Sequence, residues 1–258
     1  MPDWRPLIVR REDGFPRIMG VLNITPDSFF EDSRSNNMSE TIKIAESMIQ
    51  NGADWLDIGG ESTRPGANPV KEEEEISRVI PVIRELRKRF PKVGISVDTR
   101  RAKVAALSLE EGADMINDIS ALSDQNMINV VKQSDCCICL MHMKGLPENM
   151  QNNPQYDDVV TEVRIKLNEK VSLLLEEGIN QERIIVDPGI GFGKSLEHNL
   201  LLLKSGREII PLSNIKLMWG VSRKSMFSEL LGRIEARDRL AGTLGIAAMS
   251  KLKAVDII

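Results

Sequence analysis

Short apolar runs alternate with longer amphipathic segments from one end of the chain to the other. The apolar runs are rich in β-branched residues, which is typical of strands buried on both faces. The predicted strands are residues 18–22, 55–58, 93–97, 115–119, 136–141, 184–186, 216–219 and 255–258. The predicted helices are residues 39–51, 71–89, 101–111, 126–133, 158–177, 196–207 and 236–251. This alternation predicts a parallel sheet with helical crossovers.

Eight predicted strands in 258 residues, with no break in composition, favour one α/β domain, a TIM (β/α)8 barrel over residues 1–258. Such barrels commonly use about 250 residues as a single domain. The last predicted strand, 255–258, has no helix after it. Because a strand without its covering helix would leave apolar surface bare, we expect the last helix to be missing and the domain to be truncated after strand 8.

The composition indicates which classes of partner the protein can bind. The chain has 34 Lys and Arg against 38 Asp and Glu, a net charge of -4, and only ten aromatic residues. With no basic stripe and few aromatics for base stacking, we expect no nucleic acid as a partner. No apolar stretch is long enough to span a bilayer and the N-terminus does not resemble a signal peptide, so we expect no membrane partner and a cytoplasmic location.

The three cysteines, Cys136, Cys137 and Cys139, lie within four residues of one apolar run. This crowding gives neither a disulfide framework nor a two-cluster metal site, and predicts small buried strand residues in a reducing compartment.

Two local patterns predict helix ends. Gly52, Gly112 and Gly178 each follow a predicted helix and precede a strand, where a left-handed residue favours glycine. Four glutamates at 72–75 open the second predicted helix and complement its positive end. Metal binding by these glutamates is the alternative, although such charge runs are usually solvated.

Polar residues follow seven of the predicted strands. They include Asn23, Arg64, Asp98, Asn117, His142, Asp187 and Lys224. Because the carboxyl ends of barrel strands meet at one rim, these residues predict a binding site there.

The chemistry of four of these groups suggests the ligand. Asp98 and Asp187 only accept hydrogen bonds when ionised, Asn117 donates and accepts, and Lys224 only donates. A flat heterocycle with amino, ring N–H and carbonyl groups would satisfy all four. The alternative is that Asp98 pairs with Arg100 and Asp187 with Lys194.

The glycine-rich turn at 189–194 has neither the Rossmann spacing nor the P-loop signature. Its glycines allow close approach of the backbone to a ligand, with Phe192 as a packing face. Asn23 is a candidate ligand for Mg²⁺, an ion that keeps several waters and relies on substrate phosphates. His142 is predicted either to line the pocket or to pack in the core, and no Ser-His-Asp or Cys-His relay is visible.

Seven motifs occur in an order and spacing that identify a family. They are Asn-Ile-Thr-Pro-Asp-Ser-Phe at 23–29, Asp-Ile-Gly-Gly-Glu-Ser-Thr-Arg-Pro-Gly at 57–66, Ser-Val-Asp-Thr at 96–99, Ile-Asn-Asp at 116–118, Leu-Met-His-Met at 140–143, Asp-Pro-Gly-Ile-Gly-Phe-Gly-Lys at 187–194 and Ser-Arg-Lys-Ser at 222–225. Together, over about residues 18–258, they resemble the dihydropteroate synthases of folate biosynthesis.

The resemblance implies a transferase that condenses 6-hydroxymethyl-7,8-dihydropterin diphosphate with p-aminobenzoate by a dissociative substitution, with Mg²⁺ as cofactor and a homodimer as assembly. Implied pterin-binding residues are Asp98, Asn117, Met141, Asp187, Gly220 and Lys224, of which Asp98, Asp187 and Lys224 would be catalytic. Implied p-aminobenzoate-binding residues are Phe29, Thr63, Arg64, Pro65, Phe192, Lys224 and Ser225. Asn23 would bind the metal, and Thr25, Asp27 and Ser28 would belong to a mobile loop.

The sequence departs from the family at two places. Phe30-Glu31-Asp32-Ser33 stands where the family has Ser-Asp-Gly-Gly, and the family's Arg-Val-His after the last strand is absent. We expect the first departure to alter loop flexibility, and the second to weaken diphosphate binding and turnover if this chain is the whole molecule. A methyltetrahydrofolate-dependent methyltransferase and a non-catalytic pterin-binding protein remain the alternatives.

Overall fold

The computed structural model describes residues 3–24, 34–62, 69–145, 150–210, 212 and 214–258, with the backbone alone for residues 34–37. Its strands are β1 Met19–Asn23, β2 Trp55–Gly59, β3 Gly94–Asp98, β4 Met115–Asp118, β5 Cys137–Met141, β6 Ile184–Asp187 and β7 Lys216–Leu217. Its α-helices are α1 Arg34–Gln50, α2 Glu72–Arg89, α3 Ala102–Glu110, α4 Met127–Lys132, α5 Val159–Glu176, α6 Leu196–Ser205, α7 Met226–Leu231 and α8 Leu240–Ser250. The predicted alternation of strands and helices is confirmed.

Three elements differ from the predictions. Helix α1 begins at Arg34 rather than at residue 39, because the Ser and Asn residues at 35–37 favour caps and turns and hide the helical pattern. Helix α7 was not predicted, since six residues are too few to show a period. The predicted helix 236–251 begins with a 3₁₀ turn, Ala236–Arg239, before α8.

The strands pair in parallel in the order β1 to β7. Ile257 forms parallel bridges with both Arg17 and Met218, so the end of the chain lies between β7 and β1 and closes the barrel. The prediction of a full strand over 255–258 was wrong. The Asp256 carboxylate accepts the Leu217 N–H at 2.9 Å, so a side chain takes up a main-chain donor of β7.

Strand side chains alternate between two cores. Outward residues such as Leu56 and Val97 pack against the helices. Inward residues fill the lower barrel, and among them are Trp55, Met115, Cys137, Ile185 and Met218. Trp4 and Ile8 of the N-terminal segment join this inner cluster, and the Trp55 indole donates to the Leu7 carbonyl at 2.8 Å. The N-terminal segment therefore plugs one end of the barrel and leaves the carboxyl end for a site.

The smaller predictions are confirmed as well. Cys136, Cys137 and Cys139 are free and buried. Gly52, Gly112 and Gly178 have φ of 97°, 104° and 83°, the left-handed conformation expected just past a helix. Among the helices in the described ranges, none is long and apolar enough to cross a membrane.

Candidate functional site in the barrel mouth

Above the apolar floor, the inward positions of β2, β3, β4 and β6 become polar. Trp55 points into the barrel, so alternation turns Asp57 inward two residues later. In the sheet register Asp57 lies beside Ser96, and Asp98 lies beside Asn117. On the far side Met141 lies beside Asp187. The predicted meeting of strand ends at one rim therefore holds for these residues.

Asp57 is a site residue that the sequence analysis missed. Its side chain is buried, and its Oδ2 accepts a hydrogen bond from Asn117 Nδ2 at 3.1 Å. Its Oδ1 is buried with no partner among the described residues. Burial raises the pKa of Asp57, while the neighbouring Ser96 hydroxyl and the Asn117 amide oppose the rise. The inward alternation of β2 was the signal that pointed to it.

Asp98 stands at the carboxyl end of β3, and it accepts no hydrogen bond from the residues that the structure describes. Burial, and then the nearby Asp57 carboxylate, hold its pKa well above the usual range of an aspartate. A Cβ placed on Gly59 would lie 3.6 Å from Asp98 Oδ2 and 3.7 Å from Asn23 Oδ1, so Asp98 and Asn23 flank the same point of β2. Asp98 is thus a carboxyl group in need of a donor.

Asp187 is held at the end of β6 by backbone donors. Its Oδ1 accepts the Gly189 N–H at 2.7 Å. Gly189 has φ of 68°, and a Cβ there would lie 1.9 Å from the His142 carbonyl oxygen, so only glycine fits this turn. Burial raises the pKa of Asp187, and Gly189 and Lys224 act against that rise. Gly220 lies close by, with a virtual Cβ 3.5 Å from Asp187 Oδ2.

Lys224 extends over the mouth from the turn after β7. Its Nζ lies 4.0 Å from the centre of the Phe192 ring, and Asp187 and Asp98 are the nearby opposite charges. Burial lowers its pKa to about 8. The preceding Arg223 has φ of 52° and is tied to α8, since its N–H donates to Thr243 Oγ1 at 2.9 Å. A locally strained turn thus presents Lys224 to the two carboxylates.

Lys194 does not pair with Asp187, which overturns the alternative ion-pair interpretation. Its Nζ, buried in the protein, lies 3.1 Å from His142 Nδ1 and donates to the His142 carbonyl at 3.2 Å and the Phe192 carbonyl at 2.9 Å. Burial and the neighbouring Lys194 lower the pKa of His142 to about 3. Burial lowers the pKa of Lys194 to about 7. His142 is buried in this contact and also lines the cavity beside the mouth, so its position fits both predicted roles.

The ion pair of Asp98 with Arg100 is not formed either. Arg100 Nε lies 3.1 Å from Glu61 Oε2. Glu61 Oε1 also accepts the Val70 N–H at 2.9 Å, across residues 63–68. Neither predicted ion pair is formed, so the Asp98 and Asp187 carboxylates face the barrel mouth.

The acidic run at 72–75 opens α2 as predicted, but it is not a solvated face throughout. Glu75 is completely buried, accepts from Thr99 Oγ1 at 2.6 Å and pairs with Arg101. Arg101 also contacts Glu61 and the Val70 carbonyl. This cluster connects the ends of β2 and β3. The Glu75 carboxylate is engaged by Arg101 and Thr99.

Several predicted residues lie outside the described ranges. They are Thr25, Asp27, Ser28, Phe29, Thr63, Arg64 and Pro65. Of the predicted p-aminobenzoate residues, Phe192, Lys224 and Ser225 are described: Phe192 is largely buried beside Lys224, and Ser225 is exposed just before α7.

Asn23, the candidate magnesium ligand, lies at the rim of the mouth. Its side chain is exposed at the carboxyl end of β1, on the side of Asp98. No group of three or more His, Cys, Asp or Glu in the described part of the chain is arranged as a metal cage. A single amide oxygen at an open rim fits an ion that is held mainly by water and substrate phosphates.

A cavity of about 570 Å³ opens next to this mouth, between the strand ends and α5. Met141, His142, Tyr156 and Lys170 are among the residues that line it. Among the described residues predicted to bind pterin, Met141 is shared by the cavity wall and the mouth. The carboxylate, amide and ammonium groups that carry the chemistry lie in the barrel mouth itself.

The fold and the mouth together match a known class of protein. A barrel whose mouth gathers carboxylates, an amide and an ammonium group matches the family model described as pterin binding enzyme over residues 19–258. Dihydropteroate synthase of Escherichia coli K12 is 43% identical over 94% of this chain and 85% of its own length.

Two solved structures agree. The Yersinia pestis dihydropteroate synthase in a sulfonamide drug complex has a TM-score of 0.88 and 39% identity, covering 96% of this chain and 89% of that one. The Xanthomonas albilineans enzyme with 4-aminobenzoic acid has a TM-score of 0.85 and 37% identity, covering 94% of this chain and 86% of that one. The chain belongs to the dihydropteroate synthase family of pterin-binding transferases.

Proposed function

We propose that the chain condenses 6-hydroxymethyl-7,8-dihydropterin diphosphate with p-aminobenzoate, giving 7,8-dihydropteroate and diphosphate. The observation that carries the proposal is the set of four groups in one barrel mouth, Asp98, Asn117, Asp187 and Lys224. Their donors and acceptors complement the amino, ring N–H and carbonyl groups of a pterin. Membership of the family indicates the reaction, and the polar groups of the mouth indicate that a pterin fits there.

In this proposal Asp187 accepts from the amino and ring N–H groups of the pterin. Asp98 accepts a further ring N–H, and Asn117 is held by Asp57 to present its remaining amide groups. Lys224 donates to the ring acceptors from above, while Met141 and Gly220 shape the walls. Each pairing gives a polar group of the mouth a further hydrogen-bond partner.

The substitution proceeds by departure before attack. The methylene C–O bond breaks, its electron pair leaves with the diphosphate, and the arylamine nitrogen then forms the C–N bond and loses a proton. Asp98 and Asp187 stabilise the pterin cation electrostatically, and the closed barrel floor excludes water from it. Lys224 orients the ring for attack. No protein nucleophile is needed.

Asn23 would hold Mg²⁺ at the rim of the mouth, where its side chain stands on the same side as Asp98. When bound, the ion would supply positive charge to the departing diphosphate.

The arylamine enters above the pterin. Phe192 and Ser225 border this region from the turns after β6 and β7, and Lys224 separates it from the pterin pocket. By the family pattern, Phe29, Thr63, Arg64 and Pro65 would bind p-aminobenzoate, and Thr25, Asp27 and Ser28 would belong to the loop that closes over it in the family.

A turnover assay with purified protein, Mg²⁺ and both substrates tests the proposal, with dihydropteroate detected by chromatography. Product formation supports it. Calorimetric binding of pterin diphosphate without turnover would identify a non-catalytic binding protein. Methyl transfer from methyltetrahydrofolate to a corrinoid would identify the methyltransferase.

A homodimer is the proposed assembly. Exposed apolar side chains concentrate in α7, α8 and the segments beside them, and they include Ile234 at 78% and Leu252 at 83% exposure. Such a surface is typical of a protein interface. Light scattering of the wild type and of Leu244→Glu tests the assignment, since the charge should shift a dimer towards monomer.

The free buried cysteines support a reducing, cytoplasmic location.

A further inference from the structure

The Nζ of Lys194 lies within hydrogen-bond distance of three acceptors. These are His142 Nδ1 at 3.1 Å, the His142 carbonyl at 3.2 Å and the Phe192 carbonyl at 2.9 Å. An ammonium group has three donors and no acceptor, so its capacity is filled within the protein. The side chain is only 3% exposed. A lysine this buried and this fully bonded has no donor left over for substrate.

The acceptors of Lys194 come from two different strand ends. His142 follows β5, whereas Phe192 lies in the glycine-rich turn after β6. Gly191 and Gly193 in that turn have φ of 83° and 63°, a backbone with little conformational restriction of its own. Lys194 therefore fixes the main chain at Phe192 against the end of β5.

Phe192 links this contact to the site. Its ring faces the Lys224 ammonium at 4.0 Å, and a Cβ on Gly191 would lie 3.2 Å from Lys224 Cδ. A displacement of the Phe192 backbone would move the ring that supports Lys224. The carbonyl that Lys194 binds thus belongs to the same residue as the ring that contacts Lys224.

We infer that Lys194 is a positioning residue for the arylamine half of the site, acting through Phe192 rather than on the substrate. The inference rests on the proposed function, because it assigns Phe192 to the p-aminobenzoate region. It also fixes the tautomer of His142. An ammonium donor at Nδ1 requires a lone pair there, so the proton of the neutral ring is on Nε2.

Kinetics of Lys194→Met, Phe192→Leu and the double variant test the positioning role. We expect Lys194→Met to raise KM for p-aminobenzoate about tenfold and to change KM for pterin diphosphate less than about twofold, an effect of one displaced aromatic contact. In the double variant, Lys194→Met should add less than twofold to the effect of Phe192→Leu. The matched control is Lys92→Met, an exposed lysine before β3 at the opposite end of the barrel.

Equal increases in both KM values, or full additivity with Phe192→Leu, would overturn the inference. A readout that needs neither a Lys194 variant nor turnover is the ¹⁵N spectrum of the histidine rings, with His142 assigned by comparison with His198→Gln. A protonated Nδ1 in neutral His142 would also overturn it. If the wild type makes no dihydropteroate, the proposed function fails, whereas the ring spectrum still decides whether Lys194 holds His142.

Discussion

Asn117 Nδ2 donates to Asp57 Oδ2 at 3.1 Å, and this bond sets which way the amide of Asn117 faces. An ionised carboxylate only accepts, so the amide nitrogen must turn towards Asp57 and the carbonyl oxygen towards the mouth. Asp57 thus determines what Asn117 offers to a ligand.

Asp57→Asn removes that constraint, because an asparagine both donates and accepts. We expect pterin affinity to fall about tenfold, with loss of one oriented hydrogen bond worth about 1.4 kcal/mol. Calorimetry with the pterin diphosphate measures the change. Asp238→Asn, on an exposed turn before α8, is the control. Unchanged affinity in Asp57→Asn would mean that Asn117 is oriented by other groups.

Lys224→Ala should weaken pterin binding by about tenfold or more, because the variant loses a charge-assisted hydrogen bond to the ring. Because burial lowers the pKa of Lys224 to about 8, the ammonium form is lost as the pH rises through that value. Affinity of the wild type should therefore fall between about pH 7 and pH 9. The Lys224→Met variant should lack that fall. A variant that keeps the same pH profile would assign the titration to another group.

Much of this site could be predicted because the carboxyl end of each strand follows from the apolar pattern. Asp98, Asn117 and Asp187 end predicted strands, and a parallel barrel brings such ends together whatever the residues between them. Family motifs then add roles that periodicity does not contain. Residues near strand ends are thus accessible to reasoning from one sequence.

Contacts between distant segments were not predictable in the same way. Lys194 lies 52 residues from His142, and the pattern around either residue gives no sign of the pairing. An ion pair of Lys194 with Asp187 was the alternative on charge alone, yet two carbonyls and a ring nitrogen contact the ammonium. Glu75 likewise looked solvated within its acidic run, because the position of Arg101 depends on how α3 follows β3.

His142→Gln should change the acid stability of the protein. The pKa of His142 is lowered from 6.5 to about 3, so between these values the unfolded state binds the proton and the folded state does not. The stability that His142 contributes is thus fully present above about pH 6.5 and is lost as the pH falls towards 3. The free energy of unfolding should fall by at most about 1.4 kcal/mol per pH unit in this range. Denaturant unfolding of wild type and variant from pH 4 to pH 7 measures the difference. Parallel pH profiles would contradict the buried neutral ring, and His198→Gln is the control.

Glu75→Gln should destabilise the fold, whereas Glu73→Gln in the same first turn of α2 should not. Glu75 is fully buried against Arg101 and Thr99, and burial raises its pKa while those two partners oppose the rise. Removing its charge leaves the Arg101 guanidinium with the Val70 carbonyl and, as its carboxylate partner, the more distant Glu61 at 3.3 Å, which we expect to cost about 3 kcal/mol. Glu73 is exposed, so its loss should change the free energy of unfolding by less than about 0.5 kcal/mol. Urea unfolding of both variants measures these values, and equal stabilities would show that the Glu75–Arg101 pair contributes no more than a surface charge.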